Sequence, residues 1–500
     1  MSLKFPISLV GKRGSLTPTS LYNGVNLLVS IETDIPNNWN DRDTPYYATR
    51  LEIGTSCTRI GDLAFSRSNG LTGPLTIPDS VTSIGRSAFA SCQNLNGSLT
   101  IGNGVTSIGN SAFASCPNLN GSLTIGNGVT SIEQGAFRNC NGFTGPLTIP
   151  DSVTTIEFGV FQACANLSGS INIGRGLSSV SAYAFTNTNL SSFVVDPLNP
   201  FLSANDGILY NIDKTTINQA IPTKTGPLTI PNSVTNIGDF AFARRILSGI
   251  LTIPDSVETI GSRSFAYCTG FNSLILGDGV ITIGQQAFIR CTGLTGLLTI
   301  PNSVTTIREG AFSRCSGFTG SLTIPDSVTS IEIGAFGFCT GFTDVSVDPS
   351  NLSLSDNSDG IVYNKDKTEI VFGLTGLTGS LTIPNSVTTI RNSAFSYCSG
   401  LTGSLTIPNS VTSVGSYAFR NCSGFTGSLT IGNSVTSIES RAFFNCSSIT
   451  SVNILATTAP TINSNTFSSM GAVSPAEIHV PVGATGYAAS YNGLTVVYDL

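Results

Sequence analysis

A segment of 24 residues returns along most of this chain, and that repetition constrains the fold more than any other feature. Leu75-Thr-Ile-Pro-Asp-Ser-Val-Thr-Ser-Ile-Gly-Arg-Ser-Ala-Phe89-Ala-Ser-Cys92 recurs from Leu99, Leu123, Leu147 and Ile171. It recurs again from Leu228, Leu251, Leu274, Leu298 and Leu322, and then from Leu381, Leu405 and Leu429. A degenerate copy starts at Leu51, and the spacing occasionally drops to 23. One phenylalanine marks each unit, from Phe65 and Phe89 through Phe242 and Phe265 to Phe443 and Phe467. Within a unit, Leu-Thr-Ile alternates as a short strand does. Pro or Gly followed by Asp or Asn turns the chain. Val-Thr-Ser-Ile is a second extended piece, and the variable triplet before Ala-Phe makes a corner.

No single unit can bury its Leu, Ile, Val, Ile and Phe. Stacked coils bury them as one continuous core, each strand pairing with its copies in the neighbouring coils. The expectation is therefore a repeat solenoid, mainly β: a right-handed superhelix of 23–24-residue coils with parallel sheets. At about 4.8 Å per strand, roughly 17 coils would make a rod about 80 Å long. In most units an extra Gly-Ser or Gly-Pro precedes the strand, as in Leu95-Asn-Gly-Ser-Leu99, where Phe271-Asn-Ser-Leu274 is one residue shorter. The simplest reading of that residue is a bulge.

This pattern resembles the BspA-like leucine-rich repeat family, whose unit runs approximately Leu-x-x-Ile-x-Ile-Pro-x-x-Val-x-x-Ile-Gly-x-x-Ala-Phe-x-x-Cys. Two interruptions are similar to that family's inserted hairpins. One is Val195-Asp-Pro-Leu-Asn with Asp206-Gly-Ile-Leu-Tyr-Asn-Ile-Asp-Lys-Thr215. The other is Val347-Asp-Pro-Ser-Asn with Asp359-Gly-Ile-Val-Tyr-Asn-Lys-Asp-Lys-Thr368. Ala459-Pro-Thr-Ile and Ile478-His-Val-Pro resemble its closing unit. The expected organisation is an adaptor over residues 1–50, holding the only tryptophan, Trp39, then a solenoid over 51–455 with insertions at 191–227 and 343–380, and a cap over 456–500. The resemblance implies surface proteins that bind matrix proteins, host cells or other microbes, and also viral and phage proteins.

Charge narrows the function classes. Charged residues are 10% of the chain and the net charge is −6, against about 25% charged in ordinary globular proteins. So few cations argue against nucleic acid, whose phosphates need them clustered. No apolar stretch is long enough to span a membrane. One histidine, His479, leaves no multi-His metal set and few routes to a Ser-His or Cys-His pair. It reads as a partly buried residue of the closing strand. No phosphate loop, paired-carboxylate set or nucleophile motif stands out, so no catalytic residue, metal or cofactor is expected. The first residues, Met1-Ser-Leu-Lys-Phe-Pro-Ile-Ser-Leu-Val10-Gly-Lys-Arg, place a brief apolar run before cations. That order is the reverse of a secretion signal, and no cleaved export signal is expected.

Of the twelve cysteines, eleven lie three residues after a unit phenylalanine, as Cys92, Cys116 and Cys315 do. Stacked neighbours have nearly parallel Cβ directions, which does not suit a disulfide. The column reads as small buried residues, with Ser68, Thr188 and Arg245 as replacements. A threonine row, Thr76, Thr100, Thr124 and Thr148 among others, reads as exposed strand positions. Glu133 over Glu157 and Arg308 over Glu332 read as exposed surface pairs of little energetic weight.

Recognition belongs in columns that vary from coil to coil. Two residues after the unit phenylalanine, successive coils carry Arg244, Tyr267, Arg290, Arg314 and Phe338, and Tyr397 follows. Stacking predicts an Arg/aromatic stripe, with sulfated, phosphorylated or otherwise acidic glycan, or an acidic protein surface, as its ligand. The bland alternative is a solvated edge on which arginine stems cover apolar neighbours. The expected function is a non-enzymatic attachment protein on a larger assembly. A virion tail or fibre component docking through residues 1–50 to neighbouring structural proteins and facing a host-surface glycan or protein is favoured. The alternatives are a structural spacer and a microbial cell-surface adhesin. Self-association stays open.

Overall fold

The computed structural model describes residues 7–8, 27–31, 48–470 and 477–500. The chain divides into two compact units, Met1–Lys224 and Thr225–Leu500. Both are built from the predicted coils, and no helix occurs among the described residues.

In the first unit the Ser-Ile pieces form a parallel ladder of two-residue strands. Arg59–Ile60, Ser83–Ile84, Ser107–Ile108, Ser131–Ile132, Thr155–Ile156 and Ser179–Val180 pair in sequence order, isoleucine facing isoleucine until Val180 stands opposite Ile156. Leu-Thr-Ile pieces form the other sheets, such as Gly73–Ile77 beside Leu95–Ile101, with Leu75 and Ile77 buried and Thr76 exposed. The ladder slips register at glycine: between Gly73 and Leu75, between Gly145 and Leu147, and in the second unit between Gly403 and Leu405. These are the bulges expected from the extra residue. Gly73 and Gly403 have φ of +83° and +77°, a conformation that only glycine adopts without strain.

The unit phenylalanines pile into a buried column. In the first unit the Phe65, Phe89, Phe113, Phe137, Phe161 and Phe185 rings follow one another at 4.9–5.8 Å, nearly parallel. In the second, Phe419 lies 5.2 Å from Phe395 and 5.3 Å from Phe443. Each coil also hands side-chain acceptors to its neighbour. Asp79 Oδ1 accepts from Asn103 N at 2.6 Å, and Asn103 Oδ1 from Asn127 N at 2.9 Å. The threonine after each valine donates one coil back, Thr82 to Thr58 O at 3.0 Å and Thr106 to Thr82 O at 3.0 Å. The glutamates behave likewise: Glu133, Glu157 and Glu332 accept from the backbone N–H groups of Asn110, Gln134 and Glu309. Their carboxylates cap amides of the preceding coil, a structural role that surface pairing did not describe.

All twelve cysteines are free, buried thiols. Most of those in the column donate to the carbonyl of the preceding coil's phenylalanine, as Cys116 Sγ does to Phe89 O at 3.0 Å and Cys315 Sγ to Phe288 O at 3.0 Å. Burial pushes Cys164, Cys339, Cys398 and Cys446 up to about 12, so they stay protonated. Arg245, in the same column, is 3% exposed, its Nη1 donates to Ala243 O, and burial pulls its pKa down to about 10.

The interruptions are three-stranded antiparallel meanders, one strand more than a hairpin: Leu202–Asn205, Ile208–Asn211 and Thr216–Ala220, then Leu354–Asp356, Ile361–Asn364 and Glu369–Gly373. The third strand of the second meander rejoins the parallel ladder, Ile370 opposite Ile390. Each meander opens on a buried asparagine. Asn351 Nδ2 donates to Pro325 O and Val328 O at 2.8 and 2.9 Å, while its Oδ1 accepts from Ser353 N and Leu354 N at 2.8 Å each. Asn199 repeats the arrangement.

At the start of the chain, parallel pairing reaches back before residue 51: Leu27–Ile31 lies beside Ala48–Ile53, and Ile7–Ser8 beside Val29–Ser30. The remainder of the expected adaptor, Trp39 included, lies outside the described residues. At the other end, Phe467 continues the phenylalanine column 5.8 Å from Phe443. Glu477–Val480 and Leu494–Tyr498 then close the sheet, with His479 Nδ1 2.9 Å from Asp499 Oδ1.

Candidate recognition surface

The corner of each coil explains where its variable side chains go. The residues two before and two after the unit phenylalanine both take the left-handed conformation. Phe240, Arg263, Tyr417 and Arg441 do so in the first of these columns, Arg244, Tyr267, Arg290, Arg314, Phe338 and Tyr397 in the second. The phenylalanine between them turns inward, and its amide donates to the next coil, Phe312 N to Ala335 O at 2.7 Å and Phe395 N to Ala418 O at 2.7 Å. A positive φ costs a bulky residue about 1 kcal/mol or more, and small or Asn side chains bear it best. After Arg67, the first unit fills the second column with Ser91, Ser115, Asn139, Ala163 and Asn187. In the second unit the column holds arginine and aromatics from Arg244 to Tyr397, at φ from +58° to +65°, and then returns to Asn421, Asn445 and Ser469.

The six predicted residues come together in two sets. The Arg244 guanidinium lies 4.7 Å from the Tyr267 ring centre, and that of Arg290 lies 5.4 Å from the same ring. Arg314 sits 4.0 Å over Phe338, whose ring centre is 4.2 Å from that of Tyr397. The last contact crosses the second meander. In that coil Thr375 supplies the acceptor for Phe338 N through its hydroxyl at 3.0 Å, and the aromatic pair meets across it. Arg244, Tyr267 and Arg290 are exposed, while Arg314, Phe338 and Tyr397 are half-buried. Among the described residues, no carboxylate lies within ion-pair distance of Arg244, Arg290 or Arg314. Stacking on rings holds each guanidinium in place without neutralising it.

Four residues that the single-column reading omitted extend this surface. Arg420 stands 5.4, 5.3 and 5.7 Å from the ring centres of Tyr397, Tyr417 and Phe444. Arg441 lies 5.8 Å from the Tyr417 ring and donates from Nη1 to Tyr417 Oη at 2.8 Å. The signal was present in the sequence. Tyr417 and Arg441 stand two before their phenylalanines, in a column that also holds Phe240 and Arg263, while Arg420 and Phe444 stand one after theirs, so three columns must be tabulated to see the cluster.

Among the described residues, no group of three or more His, Cys, Asp or Glu stands close enough to hold a metal, and no helix is long and apolar enough to cross a membrane. What the geometry offers is a surface of ring-stacked, unneutralised cations, suited to binding oxyanions.

Stacked coils of 23–24 residues, with parallel ladders and a buried phenylalanine in each turn, define a leucine-rich-repeat solenoid. The profile of the BspA type leucine rich repeat region matches six times, over residues 46–144, 96–206, 144–225, 222–343, 319–358 and 365–489, and the chain belongs to that family. No curated protein matches it. Among solved structures it is similar to a leucine rich cell surface protein from Faecalibacterium prausnitzii, at 24% identity and a TM-score of 0.47 over 68% of this chain and 96% of that one. A leucine-rich repeat protein from Bacteroides ovatus is similar at 22% identity and a TM-score of 0.40, over 95% and 92% of the respective chains. One from Eubacterium ventriosum is similar at 20% identity and a TM-score of 0.46, over 67% and 95%.

Proposed function

We propose that this protein is a non-enzymatic recognition protein, displayed outside a cell or on a virion. On this reading it attaches to an acidic ligand through Arg244, Tyr267, Arg290, Arg314, Phe338 and Tyr397. The observation that carries the proposal is the contrast between equivalent corners. A position that the first unit mostly gives to Ser, Asn and Ala holds cations and rings from Arg244 to Tyr397 in the second, before returning to Asn421 and Asn445, at a backbone conformation that disfavours bulk and, among the described residues, with no carboxylate paired to its arginines. Strain of that kind concentrates where a surface has a task beyond folding. Membership of a family resembling surface adhesins supports display on an outer face.

The test is binding of the purified full chain to immobilised acidic glycans and acidic proteins. Changing Arg244, Arg290 and Arg314 together to Ala is expected to weaken binding more than tenfold while leaving the melting temperature in place. Undiminished binding would favour a spacer without a ligand. Deleting residues 1–50 is expected to abolish incorporation into the parent particle or envelope, and normal incorporation would end the docking reading.

A further inference from the structure

The second set of corner residues and the Arg420 cluster form one series of contacts on the second unit. From Arg314 it runs through Phe338 to Tyr397 and on to Arg420, Tyr417, Phe444 and Arg441, each step a ring or cation contact. Arg244, Tyr267 and Arg290 occupy the same column in the coils before it. The second meander does not interrupt the series, because Phe338 and Tyr397 meet across it. Arg420 is its most enclosed member. Three rings surround its guanidinium, and its Nε is buried with no hydrogen-bond partner. A buried, unpaired donor on a permanent cation is costly unless something accepts from it.

We propose that this series is a track for a linear acidic polysaccharide, lying along the stack with about one sugar per coil, and that Arg420 with Arg441 is its principal anion-binding point. This deepens the recognition reading and rests on it. Three features favour a glycan over an acidic protein. Rings and cations share the surface, and a pyranose offers an apolar face to the one and an acidic group to the other. The cations recur along the stack, as the charges of a polymer do. The coils repeat at ring-to-ring distances of 5.1–5.5 Å, close to the length of one pyranose unit. From the Arg244 coil to the Arg441 coil the track is roughly 40 Å long at the strand repeat, which is about eight sugars.

The experiment titrates the full chain with size-defined heparin oligosaccharides of two to twelve sugars, with neutral dextran oligosaccharides of matching length, and with polyglutamate. Affinity is expected to rise with heparin length and level off near eight sugars, with dextran silent and polyglutamate weak. Arg420→Gln is expected to lower the affinity for the longest oligosaccharide about tenfold. Arg420→Lys, which keeps the charge and loses the planar fork, should not restore it. Phe338→Leu with Tyr397→Leu should shorten the length at which affinity levels off. A thermal melt of each variant separates loss of binding from loss of fold, and for any variant that melts early Arg441→Gln serves in its place. Length-independent binding, or polyglutamate equal to heparin, would overturn the polysaccharide track. So would Arg420→Gln and Arg441→Gln variants that bind as the parent does. If the Arg244, Arg290 and Arg314 triple variant still loses binding in those cases, the broader recognition reading survives alone. If the triple variant also binds unchanged, both fall.

Discussion

Replacing Asn351 with Ala tests how an inserted meander is fastened to its solenoid. The side chain is fully buried and makes four hydrogen bonds to backbone, two as donor and two as acceptor, all at 2.8–2.9 Å. Each such bond is worth about 1 kcal/mol net, and about 1–3 kcal/mol if its backbone partner is left dry and unpaired. The expected loss is therefore about 4 kcal/mol, large for one residue. Asn351→Leu should cost as much, which would show that polarity and not volume is what is lost. Asn351→Asp keeps the acceptor but turns the donating edge into a second oxygen facing two carbonyls. Burial and those carbonyls raise the folded-state pKa of that aspartate above its unfolded value of about 3.9. Its contribution is thus retained below about pH 4 and lost as pH rises through the folded value. Stacked repeats open locally, so the readout is hydrogen exchange of residues 351–373 alongside urea unfolding followed by circular dichroism. Protection and unfolding midpoint unchanged in Asn351→Ala would refute the clamp. The same substitution at Asn199 gives an internal repeat.

Phe419→Ala removes a fully buried ring stacked on both sides and is expected to cost about 3–5 kcal/mol, read as a lower urea midpoint; a shift under 1 kcal/mol would contradict the stacked column. The thiols should be silent toward a disulfide reagent at pH 8 in the native chain, and all twelve should react in denaturant. Several reacting natively within minutes would mean the coils are open. Gly104→Ala would place a methyl 1.7 Å from Asp79 O, so the coil must shift, and a clear fall in melting temperature is expected; an unchanged melt would show that this corner is loosely packed. Asp499→Asn removes the partner of His479, whose pair is partly exposed, and should change stability by less than about 1 kcal/mol.

The core was legible because packing repeats with the sequence: Leu75, Ile77, Val81, Ile84 and Phe89 are buried where their spacing put them. The bulge glycines were legible for the same reason. What did not show was anything that depends on how one coil sits on the next. The bond from Cys116 to Phe89 O spans 27 residues, so spacing alone could not reveal it. The Asp-Pro-x-Asn run at both insertions was plain to see, yet its four-bond clamp needs the turn of the preceding coil. At the recognition surface, one column was read and its neighbour was not. Arg420, Tyr417, Phe444 and Arg441 lie at other offsets from the phenylalanine, and only the stacking of the folded coils brings Arg420 against Tyr397 and the others against Arg420 or Tyr417.

The acceptors that pass from coil to coil, Asp79 to Asn103 and Asn103 to Asn127, have a further effect. Where a turn offers its successor the same bond it received, a gene that gains or loses one whole repeat leaves that junction chemically intact. Length is then a quantity that recombination sets freely. A chain of this design can acquire reach, or more contact points for its ligand, without inventing a new interface.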